Sequence, residues 1–148
     1  MSARIAVIDY EMGNLRSVSS ALARLGAEAV ITADGAEISA ASGIVLPGVG
    51  AFGDAARALD ARGLMAALRE LATAASEGRG APFLGICLGL QLLFAGSEEA
   101  PGSEGLDVLP GSVKRFPSAD SAGRVVKVPH MGWNSVEVGA SNELTGAV

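Results

Sequence analysis

The stretch "PFLGICLGLQLLFAG", residues 82–96, reads as a strand that turns abruptly into a helix. Pro82 opens a short apolar run that ends on Cys87, and the leucines beyond it recur at helical spacing. The one cysteine of the chain therefore stands between Gly85 and Gly89 in a G-x-C-x-G pattern, the thiol version of a nucleophile elbow. A residue on so sharp a turn adopts strained backbone geometry, and side chains two positions to either side would collide with the neighbouring strand and helix. The helix that follows offers unpaired N–H groups and the positive end of its dipole, which favour a thiolate. The competing reading, a small buried hydrophobe, remains open at this point. Gln91 lies four residues beyond Cys87 and projects from the same helical face, while Leu88 and Leu92 form an adjacent stripe toward the core.

Working outward, "RIAVIDY" (4–10) is a β-branched apolar run of the kind buried on both faces of a sheet. Leu15, Val18, Leu22 and Leu25 follow at helical spacing, with Asn14 placed to cap the start and Gly26 to end it. "AEAVIT" (27–32) and "SGIVLPG" (42–48) predict two more strands, and Leu64, Leu68, Leu71 and Ala75 mark a second helix that closes near Gly78 and Gly80. Alternating strands and helices predict an α/β fold, an open, mostly parallel sheet with helices on both faces and right-handed crossovers, flavodoxin-like in layout. Beyond Gly102 the segments "SVKRF", "PSADSAG" and "RVVKVPHMGWNSVEV" predict an antiparallel β extension. Residues 1–148 are expected to form a single domain.

Composition narrows the function classes. Hydrophobic residues make up 49% of the chain, yet no stretch reaches the roughly eighteen uninterrupted apolar residues of a membrane span. The start, "MSARIAVIDY", lacks the long apolar region of a secretory signal, so the expected location is the cytosol. One cysteine and one histidine leave no disulfide and no Cys/His metal cluster, and no metal or cofactor is expected. A net charge of −5 and arginines scattered at 16, 24, 57, 62, 69 and 79 argue against a nucleic-acid surface.

A second chemical element is "LPGVGAFGD" (46–54), directly after the third strand. In an open parallel sheet the ligand crevice lies beyond the carboxyl ends of the strands, where the loops after strands three and four both open. Gly48, Val49 and Gly50 can there turn backbone N–H groups toward an oxyanion formed at Cys87, joined by the N–H of Leu88. A phosphate-cradling loop would look similar, although the Walker lysine and the G-x-G-x-x-G pattern are both absent.

Taken together, "IDYEMGNLRSV" (8–18), "LPGVGAFGD" (46–54), "GICLGLQLLF" (85–94), "SEEAPGSEGLDVLPG" (97–111) and "VPHMGWN" (128–134) resemble the class I, triad-type glutamine amidotransferases. The resemblance is greatest to the glutaminase subunits of the imidazole glycerol phosphate synthases of histidine biosynthesis. It implies attack by Cys87 on the carboxamide of glutamine, a γ-glutamyl thioester and its hydrolysis to glutamate. The ammonia would pass to a cyclase partner, a (β/α)₈ barrel, in a heterodimer. The family pattern also implies an oxyanion hole at Gly48, Val49 and Leu88, and glutamine contacts from Gly50, Gln91 and Glu99. Asn14, His130 and Trp133 would face the cyclase.

The family further requires a histidine base and a glutamate in an H-P-E type motif, which this sequence lacks. His130, in "VPHMGWN", follows a proline near a tryptophan and reads as a docking or packing residue, not as that base. The expectation is that the last strands and the His/Glu pair are missing from these 148 residues. Two alternatives stay open: a non-catalytic module that only docks on a cyclase, and another Cys-elbow hydrolase of the same superfold.

Overall fold

The structure, a computed structural model, describes residues 2–129, 132–135 and 137. The chain divides into two compact units, Met1–Arg115 and Phe116–Val148.

In the first unit, strands β1 (Arg4–Ile8), β2 (Glu28–Thr32), β3 (Gly43–Gly48) and β4 (Phe83–Cys87) form one sheet in the order β2-β1-β3-β4. Each pairing is parallel, because the intervening segments are crossovers that carry helices. These are α1 (Leu15–Arg24), α2 (Gly35–Ser39), α3 (Phe52–Ala61) and α4 (Met65–Ser76), with the short α5 (Leu88–Gln91) following β4. All six residues of β3 are buried, as its unbroken apolar sequence requires of a central strand. Ala6, Ile8, Ile44 and Leu46 from the sheet pack with Phe52, Leu59, Leu64 and Leu68 to form the core.

Local signals explain most boundaries. The Asn14 carboxamide accepts a hydrogen bond from Ser17 N at 3.2 Å and starts α1, and Gly26, at φ +79°, takes the left-handed conformation that ends it. Helix α2, absent from the sequence reading, is nucleated by Asp34, whose carboxylate accepts from Ala36 N (2.7 Å) and Glu37 N (3.1 Å). Helix α3 was not anticipated either. Its N-cap residue, Ala51, has no capping side chain, and Glu99 supplies the acceptor instead, at 3.0 Å from Phe52 N.

Two expectations are corrected. The helix after Cys87 spans only Leu88–Gln91. The chain leaves the helical path because the carbonyls of Leu92, Leu93, Phe94 and Ala95 accept from the amides of residues 105–109. Its dipole is therefore small, which reduces the support for a thiolate that the sequence reading drew from this helix.

The antiparallel β extension is also absent. Among the described residues beyond Gly102 there are only isolated bridges, including Gly96↔Glu104 and Ala119↔Val125. The amides of 105–109 are committed to the 92–95 carbonyls, and Pro110, Pro117 and Pro129 have no N–H for a ladder. In the second unit Asp120 folds the chain back on itself. It accepts from Ala122 N and Arg124 N, each at 2.9 Å, which makes a side-chain-built turn. Val125 and Val128 stay exposed, so no buried face fixes a strand register there.

Candidate active site

Cys87 ends β4 at φ +56° and ψ −114°, a backbone conformation that a residue with a Cβ rarely adopts. Its thiol is exposed. The two flanking glycines have separate steric reasons. A Cβ at Gly85 would sit 2.7 Å from the backbone of Gly89 and Leu90, the very turn that carries the thiol. A Cβ at Gly89 would fall inside the van der Waals envelope of the Leu46 carbonyl oxygen on β3. The G-x-C-x-G spacing therefore lets the elbow fold back on itself and lie against the adjacent strand.

The glycine-rich loop begins beside the thiol. In the β3–β4 ladder Gly48 is the register partner of Cys87. A Cβ on Gly48 would stand 2.6 Å from the Tyr10 hydroxyl, 2.8 Å from Leu88 Cβ and 2.9 Å from Gly89 N, so only glycine lets the loop press against the elbow. Val49 is half exposed, and Gly50 turns the chain at φ +103°. The segment 9–13 lies against the other side of this loop. A Cβ at Gly13 would touch Pro47 at 3.2 Å, and one at Gly50 would touch Met12 Cε at 3.1 Å.

Gly48 and Cys87 thus meet across the ladder, with Leu88 packed against Gly48 and Val49 and Gly50 continuing from it. Gln91 lies on α5, half-buried, one helical turn beyond the thiol. Glu99 reaches the same neighbourhood from its loop, since its carboxylate caps Phe52 N two residues after Gly50. Asn14 is exposed and its carboxamide is engaged as the α1 cap. Trp133 belongs to the second unit and is fully exposed, and His130 lies outside the described residues. Among the described residues no group of three or more His, Cys, Asp or Glu is arranged to hold a metal ion.

The sequence reading passed over Tyr10, which it counted as the end of the first strand. Tyr10 is completely buried, and its hydroxyl donates to the Pro47 carbonyl at 2.7 Å. Burial, and secondarily the negative charge available to Cys87, pushes the phenol up to about 12. A polar aromatic at the carboxyl end of an inner strand, where ligands of such sheets gather, was the available signal.

The arrangement has two chemical capacities. It presents an exposed thiol on a rigid turn, and it sets a loop of glycine backbone amides directly across the strand from that thiol. Together they suit nucleophilic attack on a carbonyl with stabilisation of the resulting oxyanion. A separate groove of about 660 Å³ between α3 and α4, lined by residues including Arg57, Asp60, Arg69 and Glu104, contains none of these groups.

The chain is 58% identical over 132 residues to imidazole glycerol phosphate synthase subunit HisH of Moorella thermoacetica, a match covering 89% of this chain and 58% of that protein. The same subunit of Geobacillus kaustophilus is 51% identical over 130 residues, covering 88% and 59%. The subunit of Methanothermobacter thermautotrophicus is 47% identical over 141 residues, covering 95% and 64%. The chain thus spans about three fifths of the length of these relatives. A crystal structure of a glutamine amidotransferase shares the fold, with a TM-score of 0.60 at 23% identity over 74% of this chain and 56% of that one. The family model for class-I glutamine amidotransferases matches residues 6–145, and the chain belongs to that family.

Proposed function

We propose that the whole protein is the glutaminase subunit of an imidazole glycerol phosphate synthase. It hydrolyses glutamine to glutamate and hands the ammonia to a (β/α)₈-barrel cyclase, with which it forms a cytoplasmic heterodimer in histidine biosynthesis. The observation that carries this reading is the pairing of Cys87, at φ +56°, with Gly48 of the glycine loop. The identity of 47–58% to relatives named as that subunit supports it.

In this mechanism the Cys87 thiolate adds to the side-chain carbonyl of glutamine. The oxyanion is held by backbone N–H groups of Gly48, Val49 and Leu88, while Gly50, Gln91 and Glu99 orient the amino acid. Collapse of the tetrahedral species breaks the C–N bond, and the nitrogen leaves as ammonia after taking up a proton. Water then hydrolyses the γ-glutamyl thioester and restores the thiol. Proton delivery is the task of a His/Glu pair that the 148 residues do not carry in an H-P-E type motif, and lack of such a general acid costs about 10² to 10⁴-fold in rate. The reading therefore concerns the whole protein. Asn14, His130 and Trp133 are assigned to the cyclase interface.

The test is synthesis of imidazole glycerol phosphate by the full-length protein with its cyclase. Cys87→Ser abolishes the glutamine-dependent reaction and leaves the ammonia-dependent one intact; loss of both would overturn the transfer of ammonia between subunits. The alternative is a docking module without turnover. Tight binding to the cyclase with no glutamine hydrolysis by the full-length protein would establish that alternative instead.

A further inference from the structure

The inference concerns Tyr10 and rests on the glutaminase reading. The backbone ladder between β1 and β3 runs through Ile5↔Gly43, Ala6↔Ile44 and Val7↔Val45 and stops there. Two residues later on β3 stands Pro47, and the Tyr10 hydroxyl reaches its carbonyl at 2.7 Å. The side chain of Tyr10 thus continues the cross-link between the two inner strands just where the ladder has ended. Pro47 itself has no N–H with which to anchor the strand.

The bond acts on a rigid unit. The Pro47 carbonyl and the Gly48 N–H belong to one planar trans peptide, so fixing the direction of the oxygen fixes the direction of the N–H. Gly48 is also the register partner of Cys87, and its Cα is enclosed by the Tyr10 hydroxyl, Leu88 Cβ and Gly89 N. That N–H faces β4 in the ladder, so a rotation of this peptide would shift the amides that follow it, at Val49 and Gly50, while leaving the thiol where it is. We propose that Tyr10 is a positioning residue for glutamine hydrolysis: its hydroxyl, donating to Pro47, holds the strand end from which the glycine loop opposite Cys87 departs.

Two further features fit this role. The phenol is completely buried, so water does not compete for the bond. Its raised pKa keeps the proton on the hydroxyl across the working range of an enzyme, and a carbonyl can only accept.

The test uses the full-length protein with its cyclase. Tyr10→Phe keeps the ring and removes the donor. The expected result is a fall in kcat of about tenfold, the scale of one hydrogen bond that acts on the transition state, with KM for glutamine within twofold of wild type. Alkylation of Cys87 by iodoacetamide, which needs no oxyanion, proceeds at the wild-type rate, while labelling by a chloroketone analogue of glutamine slows with kcat. An unchanged kcat would overturn the proposal, as would a parallel change in KM and iodoacetamide reactivity, which marks general loosening. If Tyr10→Phe does not fold, 4-aminophenylalanine at the same position supplies a weaker donor of the same shape. It should then give a reduced kcat at unchanged KM, and a wild-type kcat would overturn the proposal. Failure of the underlying reading shows separately in wild type, where the glutamine chloroketone would label Cys87 no faster than chloroacetone and glutamine would not be hydrolysed; the role assigned to Tyr10 falls with it.

Discussion

Gly89 lies so close to the carbonyl of Leu46 that a methyl group at position 89 has no room on the side of β3. Gly89→Ala must therefore push the elbow away from the strand, at a cost of about 3 kcal/mol or more for overpacking against backbone. Gly26→Ala is the control. Gly26 also has a special backbone, at φ +79°, but a Cβ there meets nothing within 4 Å, so the cost is about 1 kcal/mol of conformational strain. Urea denaturation of the two variants measures the difference. Equal midpoints would show that close approach is not what requires Gly89.

The backbone at Cys87 predicts that the reactive residue is a burden on stability. Cys87→Ala keeps a Cβ in the conformation at φ +56°, whereas Cys87→Gly relieves about 1–3 kcal/mol of strain against about 0.5–1 kcal/mol of added chain entropy. The glycine variant is expected to be the more stable of the two by roughly 1 kcal/mol, with neither able to form a thioester. Thermal unfolding of both decides it, and a more stable alanine variant would remove the case for strain.

Tyr10 is the only tyrosine in the chain, so its ionisation can be followed cleanly by absorbance near 295 nm. Its pKa is raised from 10.0 to about 12, so the folded state favours the neutral phenol. That contribution to stability is fully present below pH 10 and is lost as the pH rises from 10 toward 12. Two pK units correspond to roughly 2 to 3 kcal/mol. Chemical denaturation at pH 9 and pH 11.5 should show a loss that Tyr10→Phe does not share.

Asn14 combines two assignments that one pair of variants separates. Its carboxamide caps α1 through Ser17 N, so Asn14→Ala should cost about 1 kcal/mol even with no partner present. Asn14→Ser retains a capping oxygen and most of that stability. If the serine variant is stable yet binds the cyclase more weakly, the contact is direct; equal binding would confine Asn14 to the helix.

The turn at Asp120 gives a pH-dependent signal of the opposite sign. Hydrogen bonds from Arg124 and Ala122 hold the Asp120 carboxyl below the usual aspartate value. The ordering is therefore present above the ordinary aspartate pKa and lost as the pH falls through the lowered one. The amide shifts of Ala122 and Arg124 should titrate together at that lowered midpoint, and a midpoint at the ordinary value would show that the turn does not persist in solution.

The parts legible in the sequence were those whose signals are local. β3 was visible in "GIVLPG" because both of its faces are buried, and α1 because Asn14, four apolar residues and Gly26 lie within one short window. The elbow was legible because Gly85 and Gly89 record, by their missing side chains, contacts with the turn and with β3. Helix α3 was not, since between Phe52 and Leu59 its inward face is made of the small Ala55 and Ala56, and its cap arrives from Glu99, far along the chain. The end of α5 was not legible for a similar reason: the amides of 105–109 that end its helical path lie beyond the leucine pattern. Tyr10 was hidden because its meaning depends on Pro47, which only the β1–β3 pairing brings near.

The strand order also carries a consequence for biogenesis. β1 pairs with β2 and β3, so the segment up to Gly48 already contains the inner frame and Tyr10 before β4 is synthesised. β4 and its thiol are synthesised about forty residues later and add at the edge beside β3. In vectorial synthesis the glycine loop is thus available as a template before the cysteine emerges, and the thiol joins a frame of three strands that has already been made.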